Sequence, residues 1–378
     1  MKNIQMVDLK GQYIKIQKEV ELAIDQVIQS TSFINGPIVA EFSSNLESYL
    51  SVANVIPCAN GTDALQIALM ALGLKKGDEV ICPDFTFVAT AEVAELLGLK
   101  VVLVDVDPNT FTITAASIEK AITPKTKAIV PVHLFGQCAP MEAILALANK
   151  YNLFVVEDTA QAIGAEYTFS NGAKVKAGTM GDIGTTSFFP SKNLGCFGDG
   201  GAVFTNNEEL ALRCKSITNH GMNDQYFYEC VGVNSRLDSI QAAVLKVKLK
   251  YLDSYNAARL SAANYYDKAF SDCEHLVIPY RSEKSSHVFH QYTLKLSSKI
   301  NRNSLVAYMK EKGITVKIYY PSPLHIFTPY KQLASREVDF TVTNNLCSSV
   351  ISLPIHTELD EETLAYISSS LLTFVKGI

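Results

Sequence analysis

The chain of 378 residues has no tryptophan, and its more informative gaps lie in its motifs. Eight cysteines are scattered from Cys58 to Cys347 without a CxxC pair, which argues against a structural zinc site and a disulfide framework. The seven histidines show no HExxH or similar ligand spacing, so no metal centre is expected. No run reaches the roughly 18 apolar residues of a membrane span. The opening MKNIQMVDLKGQY lacks the apolar stretch of a signal peptide. A reduced, cytoplasmic protein with no membrane partner is the expectation. Lys and Arg number 33 against 38 Asp and Glu, giving a net charge of −5 with no basic block; nucleic acid is therefore not an expected partner. Two nucleotide signatures are missing as well. Neither GxxxxGKS nor GxxxxGKT occurs, and GCFGDGGAVF has Val203 where the dinucleotide fingerprint needs its final glycine.

What remains is an ordinary globular composition, 48% hydrophobic and 19% charged, long enough for a large core and a second smaller one. From about 60 to 205, short apolar runs alternate with helical patterns. EVICP (79–83), KVVLVDVD (100–107), KAIVPVHL (127–134) and LFVVEDT (153–159) read as strands buried on both faces. Helices are expected near 88–97, 114–121 and 140–150. That rhythm implies βαβ units and a mostly parallel sheet. IGTTSFF (183–189) and AVFTN (202–206) read as further strands, and Asn206 with Glu209 as a capping box. After 236 comes a long amphipathic helix with Ile240, Val244, Val247 and Tyr251 on one face. Beyond it a helix to Phe270, strands at 290–296 and 315–319, and helices at 301–312 and 361–374 suggest a small α+β unit. The expected division is 1–250 and 251–378.

The polar residues of interest fall at predicted strand ends, where open α/β sheets gather ligands. Lys192 lies in SFFPSKNLGCFGDGG (187–201), after Phe188, Phe189 and Pro190 and before Gly195, Gly198, Gly200 and Gly201. A lysine on such a bend lets backbone approach a group closely. Asp158 ends its strand, with Gln161 three residues on; a turn or cap role is the plainer alternative. Asn60, Gly61 and Thr62 precede a nearly all-apolar helix. Free N–H groups, a hydroxyl and the positive dipole end suit a phosphate there, although most such caps bind nothing. Ser187 adds a hydroxyl. Phe85 and Phe87 follow a strand, as core or as a stacking face. Each feature alone is weak. Taken together they meet the needs of pyridoxal phosphate: donors for the phosphate, a face for the ring, a carboxylate for the ring nitrogen and an amine to form a Schiff base with the aldehyde.

Here the sequence resembles a known family, the DegT–DnrJ nucleotide-sugar aminotransferases among the fold-type I pyridoxal-phosphate enzymes. CANGTDAL, PDFTFVATAE, VVEDTAQAIGA, SFFPSKNLGCFGDGG and VGVNSRLD carry the resemblance in order, and it runs from MVDLKGQY to SLPIHTELD. It implies a large domain with a mostly parallel sheet, a smaller α+β C-terminal domain and pyridoxal 5'-phosphate as cofactor. Lys192 would be the Schiff-base lysine and proton shuttle, Asp158 the partner of the ring nitrogen, and Gln161 that of the ring hydroxyl. Gly61, Thr62 and Ser187 would hold the phosphate, and Phe87 would stack on the ring. Asn234 would reach the phosphate of a neighbouring subunit, making the active unit a homodimer with shared sites. Thr31, Phe33, Ser191, Arg236, Tyr319 and Tyr320 would line the sugar-nucleotide site.

Within the family the sequence resembles members that aminate C3 of UDP-2-acetamido-2-deoxy-3-oxo-D-glucuronate for bacterial cell-surface polysaccharides such as O-antigen, with L-glutamate as donor. Around the lysine, members acting at C3 commonly read SFFPSKxLGxxGDGG, whereas those acting at C4 read SFHxxKxITTGEGG. Two departures, Tyr319 in place of histidine and His325 in place of asparagine, leave dTDP-3-oxo-6-deoxyhexoses as the alternative substrates. A dehydratase of the same family is disfavoured because Lys192 is intact. A non-catalytic cofactor-binding regulator is disfavoured because Asp158, Gln161 and Lys192 are all present.

Overall fold

A computed structural model describes residues 3–330 and 339–377. Helices α1 (Leu9–Ser30) and α2 (Pro37–Leu50) precede the sheet. The main run is then β1 (Asn54–Cys58), α3 (Gly61–Ala71), β2 (Glu79–Pro83), α4 (Ala89–Leu96), β3 (Lys100–Val104), α5 (Ala115–Ala121), β4 (Thr126–Ile129), α6 (Met141–Tyr151) and β5 (Phe154–Asp158). A small hairpin, β6 (Glu166–Thr168) and β7 (Lys174–Lys176), leads to β8 (Ile183–Ser187), β9 (Gly201–Thr205) and α7 (Glu208–Thr218). The seven-stranded sheet has the order β1-β9-β8-β5-β4-β2-β3. Only β9 runs against the others: it pairs antiparallel with both β1 and β8, and the remaining pairs are parallel. The carboxyl ends of β1, β2, β5 and β8 therefore share one edge.

The apolar runs form strands because both faces of the sheet are covered. One core packs α3, α4 and α7 on one face, and another packs α5 and α6 on the other. After a second hairpin, β10 (Met222–Asp224) and β11 (Phe227–Tyr228), come α8 (Ser239–Leu249) and α9 (Leu252–Phe270). Val244 and Val247 of α8 pack on Ile16 and Val20 of α1. The remaining elements are β12 (Leu276–Val277), β13 (Tyr292–Leu296), α10 (Arg302–Glu311), α11 (Thr341–Ser349), β14 (Val350–Leu353) and α12 (Glu361–Lys376). A third core joins α9, α10, α12, β13 and β14, and Ile4 joins it from the N-terminus.

Several expectations need correction. Residues 315–319 do not form a strand; Lys317 makes an isolated bridge to Ser352, a second bridge lies just before the segment at Ile314, and β13 pairs with β14. Helix α7 is capped by Asn207, whose Oδ1 accepts from Leu210 N, while Asn206 Oδ1 accepts from Ala53 N in the loop before β1. The expected capping box is thus replaced by a plain N-cap one residue later, since Leu210 at the third helical position has no polar side chain to reciprocate. The long helix after 236 is shorter than expected: α8 ends at Leu249, and Tyr251 falls in the turn that leads into α9. Strand β8 ends at Ser187, because Phe188 leaves the ladder to begin the loop that carries Lys192.

Candidate active site

Cys58, Gly201 and Ser187 stand in one row across β1, β9 and β8. Helix α3 begins three residues after Cys58 and sits directly on this row. A Cβ on Gly201 would lie 2.4 Å from the carbonyl carbon of Asn60, and one on Gly61 would lie 2.6 Å from Ser187 Cβ. Glycine at both positions is what lets the helix terminus approach the sheet. Asn60 Oδ1 caps α3 by accepting from Asp63 N at 2.8 Å. Among the described residues no acceptor meets the N–H groups of Gly61 and Thr62. The Ser187 hydroxyl faces them from β8. Free N–H groups, a hydroxyl and the dipole end form an anion cradle.

Asp158 ends β5 with its side chain buried. Oδ2 accepts from the Thr90 hydroxyl at 2.9 Å and Oδ1 from Ala160 N at 3.1 Å, which orients the carboxylate. Glu157, one residue earlier, points to the opposite side of the strand. It holds His133 at 2.7 Å and the N–H groups of Gly178, Met180 and Gly181, so it belongs to the scaffold. Gln161 accepts from Phe135 N at 2.9 Å and donates to the Tyr320 hydroxyl at 3.0 Å. Burial and the charge of Asp158 both raise the Tyr320 pKa, while the Gln161 bond opposes them. That hydroxyl stays neutral.

Lys192 lies on the loop after β8, with its backbone N–H bonded to Phe189 O at 2.8 Å. Among the described residues its amine has no hydrogen-bond partner. Burial pushes its pKa down to about 8, and the neighbouring Asp158 charge only partly opposes that. Phe87 is 56% exposed at the carboxyl end of β2, whereas Phe85 is 1% exposed and packs on Phe111, Phe135 and Tyr320. The two phenylalanines therefore divide, one toward the open edge and one into the core.

The structure thus brings together Lys192, Asp158, Gln161, Tyr320, Gly61, Thr62 and Ser187. Tyr319 stands beside Tyr320 with ring centroids 5.9 Å apart, and Ser191 directly precedes Lys192. Thr31 and Phe33 form an exposed segment, joined to the start of α8 through Ser239 N and Phe33 O. Arg236 lies two residues before the α8 cap. Asn234 is exposed, while its neighbour Ser235 is buried and bonds Ala59 N and Asp63. No described contact links the Asn234 side chain to the cradle of its own chain. Thr90 was missed from the sequence, although its place one turn after Phe87 on α4 was a usable signal. His325 is held by Asp84 through Nδ1 at 2.6 Å and its backbone N–H at 2.8 Å.

An anion cradle, a buried oriented carboxylate and an unpaired amine of lowered pKa fit pyridoxal phosphate group by group. The class is that of pyridoxal-phosphate enzymes built on an α/β sheet. Residues 14–372 match the DegT/DnrJ/EryC1/StrS aminotransferase family, and the chain belongs to it. It is 42% identical over 376 residues to a pleiotropic regulatory protein of Geobacillus stearothermophilus, covering 99% of each chain. It is 41% identical over 368 residues to the UDP-2-acetamido-2-deoxy-3-oxo-D-glucuronate aminotransferase of Pseudomonas aeruginosa, covering 97% of this chain and 99% of the relative. The UDP-N-acetyl-3-dehydro-alpha-D-glucosamine 3-aminotransferase of Acidithiobacillus ferrooxidans is also 41% identical, over 379 residues, covering 99% and 98%. Among solved structures, NtdA from Bacillus subtilis with bound cofactor PMP superposes with a TM-score of 0.88 at 34% identity, covering 96% of this chain and 82% of that one. The protein is a sugar aminotransferase that uses pyridoxal phosphate. No described helix is long and apolar enough to cross a membrane.

Proposed function

We propose that the protein moves the amino group of L-glutamate to C3 of a 3-oxo nucleotide sugar, UDP-2-acetamido-2-deoxy-3-oxo-D-glucuronate, in the cytoplasm, for cell-surface polysaccharide such as O-antigen. The observation that carries the reaction is Lys192, an unpaired amine of lowered pKa beside Asp158 at the sheet's carboxyl edge. C3 is supported by the loop SFFPSKNLGCFGDGG and by the names of the two UDP-sugar relatives, which both specify a 3-oxo or 3-dehydro sugar.

Bound pyridoxal phosphate supplies an electron sink and a carrier for the amine. Gly61, Thr62 and Ser187 would hold its phosphate. Asp158, fixed by Thr90 and Ala160, would keep the ring nitrogen protonated. Phe87 would cover one ring face, and Gln161 would turn from Tyr320 toward the ring hydroxyl. Lys192 would move the proton at Nζ. With a pKa near 8, about a tenth of the amine is unprotonated at pH 7, against a few parts in ten thousand for a free lysine. Thr31, Phe33, Ser191, Arg236, Tyr319 and Tyr320 would line the sugar-nucleotide site, with Arg236 pairing a carboxylate or diphosphate. Exposed Asn234 would serve the partner's site in a homodimer. A division into 1–250 and 251–378 accompanies this reading, supported by the third core, which apart from Ile4 is built from residues after 250.

NMR of the product formed from a panel of ketosugar nucleotides and glutamate tests the proposal. Nitrogen at C3 of the UDP-linked uronate is expected, and a 4-amino product would overturn the regiochemistry. The name of the Geobacillus relative favours a second reading, regulation without turnover. Conversion of the bound cofactor by glutamate in a single turnover separates the two.

A further inference from the structure

Asn193 follows Lys192 directly and is buried, as are His290 and Gln291. Asn193 Nδ2 donates to Asn256 Oδ1 at 2.7 Å and to Val288 O at 2.9 Å. Both amide hydrogens are then used, so Oδ1 can only accept. It faces His290 Nδ1 at 3.4 Å, which places the ring proton on Nδ1. His290 Nε2 is left with a lone pair, and the Gln291 amide stands 3.4 Å away as its donor. Protonating Nε2 would set one N–H against another. Burial, with the charges of Lys192 and Arg259, acts in the same direction and holds the His290 pKa well below its usual value. The imidazole stays neutral.

The other end of this relay is anchored as firmly. Asn256 and Arg259 share one face of α9, three residues apart. Asn256 Nδ2 donates to Ile163 O at 3.3 Å, two residues beyond Gln161. Arg259 Nη1 contacts the carbonyls of Phe289, His290 and Ile355 at 3.2, 3.4 and 2.9 Å. Four segments meet through Asn193: the Lys192 loop, the turn after Asp158, α9 and the lead-in to β13.

We infer that Asn193 is a positioning residue for Lys192, and that the neutral His290–Gln291 pair is its anchor. The relay fixes the loop one residue from the Lys192 Cα and ties it to the segment that carries Asp158 and Gln161. It sets where Nζ stands relative to the carboxylate. This inference rests on the Lys192 reading above.

Holoenzymes of the Asn193→Ala, His290→Leu and His290→Asn variants test it. The first two lose the relay, while His290→Asn still offers an N–H to Asn193. For Asn193→Ala and His290→Leu, the maximal rate at which excess L-glutamate converts the bound cofactor should fall about 10²-fold, as expected for a misplaced reacting group. The half-saturating glutamate concentration should change little. The pH midpoint of the visible cofactor band, set by Lys192 and Asp158, should move by more than about half a unit. His290→Asn should recover most of both. Wild-type rate and midpoint in folded Asn193→Ala and His290→Leu would overturn the inference, as would equal losses in His290→Asn and His290→Leu. If Asn193→Ala does not fold, the two His290 variants decide. Borohydride reduction of the wild type keeps this separate from the parent reading. A label on another lysine sinks the Lys192 assignment, whereas a label on Lys192 with silent variants sinks only the relay.

Discussion

At Lys192 one proton governs both stability and chemistry. The folded apoprotein holds this amine at a pKa of about 8, against 10.5 for an unperturbed lysine. Between those values the folded state binds fewer protons than the unfolded chain, so stability rises with pH across that window. It is fully restored above the higher value and lost as pH falls through the lower. Lys192→Met should therefore stabilise the apoprotein at pH 7, and its advantage should shrink from pH 8 to 10.5; urea titrations across that range check it, and a pH-independent difference would count against the burial. Asp158→Asn should retain the Thr90 contact but lose the charge paired with the ring nitrogen. Breaking a buried pair costs about 3–5 kcal/mol, equivalent to about 10²–10⁴-fold in turnover. Near-normal turnover would remove Asp158 from the site. Both residues could be picked out in the sequence because a lysine among glycines and a carboxylate at a strand end, each weak alone, gain meaning beside a helix terminus suited to phosphate. Asn193 and His290 were not, since their roles come from partners 63 and 97 residues away.

At the scale of elements, α3 is held on β8 and β9 by the absence of two side chains. Gly61→Ala would force a methyl to 2.6 Å from Ser187 Cβ. Overpacking of that kind costs about 1–3 kcal/mol, so the apoprotein should melt lower. Adding Ser187→Gly should recover part of the loss, and thermal unfolding of the single and double variants reads the coupling. No recovery would mean that α3 does not rest on Ser187. The strands from β2 to β5 were readable as apolar runs because βαβ packing buries both faces. Strand β14 was not, because Val350–Leu353 follows α11 with no turn residue between them. Residues 315–319 misled in the opposite sense: Val316 and Ile318 flank Lys317 in a strand-like alternation, yet only Lys317 bridges β14, at Ser352.

For the whole molecule, the α/β class and the parallel sheet followed from the alternation of runs. The partner subunit's contribution cannot be read from one chain's burial, although Asn234 is exposed beside an otherwise anchored Ser235. If Asn234 serves the neighbouring site, mixing Lys192→Ala with Asn234→Ala subunits creates dimers with one complete site. Random exchange in a symmetric dimer should then restore about a quarter of wild-type activity. No recovery after verified exchange would place Asn234 in its own chain's site. The central claim, that this sheet edge carries pyridoxal phosphate on Lys192, is tested most directly by borohydride reduction followed by peptide mapping. The predicted result is a single labelled peptide spanning Ser187–Gly201 with the cofactor on Lys192, and no label in Lys192→Ala. Label on any other lysine would contradict the account.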